Sequence, residues 1–89
     1  MEYPYLIRMP SYLGKAVKAA RGSKNMTQKD LANVTGTSVK FICDVERGKE
    51  TVQVDKVFDL LRALSLQVYV TDKPLKEKST SAQPFNFLG

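Results

Sequence analysis

Ser38, Val39, Lys40, Cys43 and Asp44 lie within one short segment, and each offers a different contact to a flat polar edge. A serine hydroxyl can bond a base or a phosphate, and a valine can touch a thymine methyl. A lysine can donate to guanine O6 and N7, and an aspartate can accept from a cytosine amino group. Gln28, upstream, can aim an amide and a helix N-terminus at a phosphate, with Thr27 beside it. Lys49 adds a phosphate contact just past the segment, and Lys24 is a weaker candidate. Cys43 reads more readily as a small boundary residue than as a reader. This is the chemistry of binding. Bond-making is poorly served, because the chain has no histidine to act as a base near neutral pH or as a metal ligand. A lone cysteine without histidine lacks the base a thiol nucleophile needs. No glycine-rich phosphate loop occurs, so neither an enzyme nor a cofactor is expected.

Two short helices must position these residues. Thr27 is a good N-cap, and Leu31 and Ala32 follow at positions suited to a buried face. Gly36 can take the left-handed conformation that ends a helix in a tight turn. Ser38 can cap a second helix, whose Ile42 and Val45 are three apart on its inner face. The small Ala32 lets the two helices cross closely. That layout is a helix-turn-helix, whose second helix enters the major groove of DNA.

The rest of the chain supports one small domain. Pro10 suits the first position of a helix, and Leu13, Ala16, Val17 and Ala20 recur at helical spacing, so a helix is predicted over 10–22. Tyr3, Tyr5, Leu6 and Ile7 before it are expected to lie along the domain as an extended, packed arm. Val54, Val57, Phe58, Leu61 and Leu64, widened by Leu60, predict a helix over 53–64; so broad a stripe leaves room for a dimer contact. Gln67 to Thr71 alternates as a strand does. One strand needs a partner: either the N-terminal arm or, by preference, the same strand of a second copy through Val68, Tyr69 and Val70. The domain is therefore placed at 1–72 and a polar tail at 73–89, in which Phe85, Phe87 and Leu88 stand out as a candidate peptide for docking on another protein.

Fourteen Lys and Arg against nine Asp and Glu give a net charge of +5. Nine of the cations precede Glu50, where after Glu2 only Asp30, Asp44 and Glu46 oppose them. The positive field thus falls on the motif half, as a phosphate backbone would require. The single cysteine excludes an internal disulfide and fits a reducing compartment. No apolar run approaches the roughly twenty residues of a membrane span. A cytoplasmic protein is the expectation.

Gln28, Leu31, Ala32, Gly36, Ile42, Val45 and Glu46-Arg47-Gly48-Lys49 resemble the helix-turn-helix of phage repressors and Cro, the XRE family. The likeness reaches Arg21, where that family commonly has an arginine facing the glutamate found here at Glu46. It departs at Thr35, usually an apolar position before the turn glycine. The resemblance implies an all-α, compact four-helix (or five-helix) domain with a short C-terminal β-strand pairing across a dimer. It also implies a phosphate contact from Gln28. Pro10, the TQ at 27–28 and VFDLLRALSLQVYV with a polar tail look like the HipB-type antitoxins, over residues 6–72. Those are dimeric repressors that bind operator palindromes and a HipA-type serine/threonine kinase toxin. A stand-alone repressor, of a phage or a restriction–modification system, is the alternative, and an interaction module that has lost DNA binding is a further one.

Overall fold

The computed structural model describes residues 3–73, so Phe85, Phe87 and Leu88 lie outside the described residues. Four helices follow one another: α1 (Pro10–Ser23), α2 (Gln28–Thr35), α3 (Val39–Glu46) and α4 (Val54–Ala63). Each boundary has a local cause. Pro10 opens α1, where its missing N–H leaves no bond unmade. At α2, Thr27 Oγ1 accepts from the Asp30 N–H at 3.0 Å and Asp30 Oδ2 accepts from the Thr27 N–H at 2.9 Å, a complete capping box. Gly36 ends α2 at φ 67°, and the next N–H, that of Thr37, returns to the Ala32 carbonyl at 3.0 Å. Ser38 Oγ then accepts from the Phe41 N–H at 3.0 Å and starts α3.

Val17, Leu31, Ile42, Leu60 and Leu64 are fully buried at the centre, with Ala20, Ala32, Val45, Val57 and Leu61 closing the core around them. The helix α3 packs on α1 and α2, and α4 covers α2. At the α1–α3 crossing Gly14 is buried, and a Cβ there would stand 2.4 Å from the Val45 carbonyl oxygen. The missing side chain sets how closely the first helix approaches the third. Thr35, the departure from the family pattern, is absorbed: its hydroxyl donates to the Leu31 carbonyl at 2.8 Å and lies 2.9 Å from that of Thr37.

Two expectations are modified. Helix α4 buries only part of its stripe, since Val54 and Phe58 are exposed; among the described residues no helix faces them. The arm packs only in part: Tyr3 and Leu6 are 56% and 66% exposed, while Tyr5 and Ile7 are more covered at 37% and 41%. Its first backbone bond to the domain is the Met9 carbonyl accepting from Tyr12. Among the described residues there is no strand, and no backbone hydrogen bond joins Gln67–Thr71 to the arm.

Candidate nucleic-acid interface

The site is built on α3 and the start of α2. Ile42 and Val45 turn inward and hold α3 on the core, which leaves Val39 and Lys40 exposed on its outer side and Cys43 half-buried between. Ser38 uses one acceptor position of its hydroxyl on the cap; its O–H remains able to donate outward. Thr27 is likewise committed to its cap, while Lys24 is exposed in the loop before α2.

Gln28 is fixed from below. Its amide donates to Glu46 Oε1 at 3.1 Å, using one N–H and leaving the second free beside the unpaired N–H groups of the α2 N-terminus. Glu46 is in turn held by Arg21, whose Nε donates to Oε2 at 2.7 Å and Nη2 to Oε1 at 3.1 Å. Arg21 Nη1 also donates to the Met26 carbonyl at 2.9 Å. The two side chains are 15% and 5% exposed, so this is a buried bidentate pair rather than a surface one. Its hydrogen bond raises the Arg21 guanidinium pKa further above the ordinary value, against the desolvation that burial imposes. Glu46 thus joins α1, α2 and α3, and it places the Gln28 amide relative to α3.

Asp44 has its carboxylate engaged by partners within the chain. It is buried, and its carboxylate accepts from Lys40 Nζ at 3.0 Å and Arg47 Nη2 at 3.2 Å, with Lys49 Nζ at 3.7 Å. The Lys40 bond holds its carboxyl below the usual carboxylate range despite opposing desolvation. Lys40, Asp44 and Lys49 are therefore brought together, and Arg47 joins them. Sequence reasoning named Arg47 only within the motif; its i, i+3 spacing from Asp44 was the available signal. Gly14 was missed altogether, because a glycine inside a helix does not show which backbone approaches it. Val68, Tyr69 and Val70 are exposed and belong to no part of this cluster; Val68 and Tyr69 line a shallow apolar surface with Phe58. No helix among the described residues is long and apolar enough to cross a membrane.

Comparison with known proteins agrees with this geometry. The helix-turn-helix family model matches residues 17–68. The "Uncharacterized HTH-type transcriptional regulator y4mF" of Sinorhizobium fredii is 37% identical over 62 residues, covering 70% of this chain and 82% of that protein. The Endothelial differentiation-related factor 1 homolog of Gallus gallus is 35% identical over 71 residues, and there the chain spans only 48% of the relative's length. Among solved structures, a chain of the HipA-HipB-O2-O3 complex superposes with a TM-score of 0.71 at 26% identity, covering 78% of this chain and 97% of that one. The restriction-modification controller protein C.AhdI from Aeromonas hydrophila gives 0.59 at 26% identity, covering 65% and 84%. With its capped helices, turn glycine and outward α3, this chain belongs to the helix-turn-helix family and is a DNA-binding transcriptional regulator of the XRE type.

Proposed function

We propose that the chain is a sequence-specific repressor that binds operator palindromes as a dimer and acts as the antitoxin of a HipBA-like pair, neutralising a HipA-type serine/threonine kinase. The observation that carries the DNA-reading part is the outward face of α3, with Val39 and Lys40 exposed beside an amide anchored at Gln28. Ser38, Val39 and Lys40 would meet base edges, with Cys43 at the helix–DNA boundary, while Gln28, Lys49 and the weaker Lys24 would meet phosphate. The partner part is supported by the likeness to a chain of the HipA-HipB-O2-O3 complex along nearly all of that chain's length. Such a protein would work in the cytoplasm.

Dimerisation is assigned to Val68, Tyr69 and Val70, which are 58%, 38% and 89% exposed in the single chain. Pairing this segment across a two-fold would satisfy its backbone and cover its apolar side chains together. Residues 1–72 would form the DNA-binding and dimerisation unit, and Phe85, Phe87 and Leu88 in the tail at 73–89 would bind the kinase. Val70→Asp should leave a folded monomer by sedimentation equilibrium; an unchanged dimer would remove the segment from the interface.

Lys40→Ala tests the reading helix. It should weaken binding to a duplex selected from a random pool by the wild-type chain, relax sequence choice, and leave kinase binding intact. Equal losses on selected and random duplex would contradict base reading. Truncation after Ala82 tests the tail, which unchanged kinase affinity would exclude. A second reading, a stand-alone controller repressor without a toxin, is favoured by the likeness to C.AhdI. A kinase-like reading frame directly downstream, and its co-purification with this chain, separates the two.

A further inference from the structure

The position of Asp44 is unfavourable for its own helix. It falls in the last turn of α3, where the helix dipole disfavours negative charge, and Lys40 precedes it in the less favourable order for an i, i+4 pair. Helix stability alone therefore does not account for an aspartate here. What it does is gather charge. Its side chain is 10% exposed, beneath Lys40, Arg47 and Lys49 at 77%, 71% and 48%. The carboxylate lies under its partners, and the partners face solvent on the surface that reads DNA.

The backbone helps to assemble this group. Gly48 adopts φ 82°, and the Lys49 N–H turns back to donate to the Asp44 carbonyl at 3.0 Å. The same glycine abuts Ser11 at the start of α1, where a Cβ would stand 2.7 Å from Ser11 Cα, so the turn is held by the fold. Lys49 thus reaches Asp44 twice, through its backbone and through its ammonium. Lys40 comes from the opening turn of α3 and Arg47 from its end. Three cations from separate positions share one anion.

We propose that Asp44 is a positioning and specificity-determining residue of the DNA-reading surface: by collecting Lys40, Arg47 and Lys49 it fixes where their charge is presented and restrains binding to phosphate of arbitrary sequence. The inference rests on α3 being the helix that meets DNA. Three unrestrained cations would find phosphates on any duplex, since that attraction carries no sequence information. Tied to a common carboxylate, each must exchange an existing partner for a DNA group. The exchange is favourable only where the duplex offers acceptors at matching positions, which converts an indiscriminate attraction into a selective one.

The test compares wild type with Asp44→Asn on two probes across a salt series. One is a random-sequence duplex, the other the duplex selected by the wild-type chain from a randomised pool. Asp44→Asn should bind random duplex about tenfold more tightly at low salt. Its plot of log affinity against log salt should steepen by about 1–2, close to one unit for each added phosphate contact. The ratio of selected to random affinity should fall by at least that tenfold, and Asp44→Glu should restore part of it. A folded Asp44→Asn with unchanged slope and ratio would reduce Asp44 to an ordinary helix-surface acceptor and overturn the proposal. Should that variant fail to fold, the exposed Lys40→Ala and Lys49→Ala answer the same question, alone and together. Cations sharing one anion give losses on random duplex that depart from the simple product by more than about twofold, whereas independent cations multiply; simple multiplication would overturn the shared role. If wild type binds neither probe, α3 is not a DNA-reading helix and the proposal falls with it.

Discussion

Glu46→Gln keeps the shape of the side chain and removes its charge, which isolates what the carboxylate contributes. In the native chain two oxygens accept three hydrogen bonds, from Arg21 Nε at 2.7 Å, Arg21 Nη2 at 3.1 Å and Gln28 Nε2 at 3.1 Å. A glutamine has one acceptor oxygen, so at least one of these donors must face an N–H group. The best rotamer keeps the oxygen toward Arg21 Nη2 and Gln28, and leaves Arg21 Nε opposed. Breaking a buried ion pair from one side costs about 3–5 kcal/mol, most of it the charge left behind. Arg21 is slightly exposed and keeps the Met26 carbonyl at 2.9 Å, so the lower end, about 3 kcal/mol, applies.

For a domain of this size 1 kcal/mol corresponds to roughly 4–8 °C, so Tm should fall by about 12–24 °C in a thermal melt followed by circular dichroism. Urea titration should move the midpoint with little change in slope. Arg62→Ala is the control, because Arg62 and Asp59 form an exposed pair at the surface of α4 and its loss should stay within about 0.5 kcal/mol. Replacing Arg21 and Glu46 together by methionine should recover much of the loss, since no lone charge remains buried. A fall below about 4 °C for Glu46→Gln would refute the reasoning, for that is the scale of a solvent-exposed pair.

Two glycines of α1 should respond in opposite directions to the same change. Gly14→Ala drives a Cβ to 2.4 Å from the Val45 carbonyl and 2.6 Å from that of Glu46, and should cost about 3 kcal/mol by urea unfolding, the upper end for overpacking. Gly22→Ala meets nothing within 4 Å and should stabilise by roughly 0.5–1 kcal/mol. In acid, Asp30 and Asp44 should both contribute to unfolding. The Thr27 backbone N–H lowers the Asp30 pKa and the Lys40 ammonium lowers that of Asp44, so folding favours the ionised carboxylates. Their stabilisation is present above the unfolded value of 3.8 and is lost as pH falls through the lower folded values. Asp30→Asn should therefore flatten the decline of stability below pH 3.8; an unaltered acid limb would contradict the capping-box assignment.

The helices were legible because their signals are local. Thr27, Gly36 and Ser38 each impose a boundary through their own backbone or hydroxyl, and the structure places each where that chemistry demands. The end of α4 had no such marker. Ser65 takes φ 59° there and lets the Leu66 N–H reach the Leu61 carbonyl at 2.8 Å, a glycine's conformation in a residue that does not advertise it. The arm misled for a different reason: apolar residues predict burial only where a surface exists to receive them, and Leu6, 66% exposed, finds little of one among the described residues. Asp44 was read from the sequence as a possible base contact, without partners inside the chain. Helical spacing offered Lys40 and Arg47 as partners, but the contribution of Lys49 depends on the turn at Gly48.

Two carboxylates on α3, two residues apart, divide the work of the reading surface between them. Glu46 is sealed against Arg21 and fixes a position: α2 cannot shift relative to α3 without drawing the Gln28 amide off its acceptor. Asp44 lies beneath solvent-facing cations and moderates charge, holding Lys40, Arg47 and Lys49 without removing them from water. The burial of the partners distinguishes these roles. A cation 15% exposed has no alternative acceptor to exchange for, whereas cations 48–77% exposed can release the carboxylate for a phosphate or a base. Loss of the first carboxylate should therefore register mainly in folding stability. Loss of the second should register mainly in the choice between one DNA sequence and another, and that difference in readout separates a structural ion pair from one that regulates recognition.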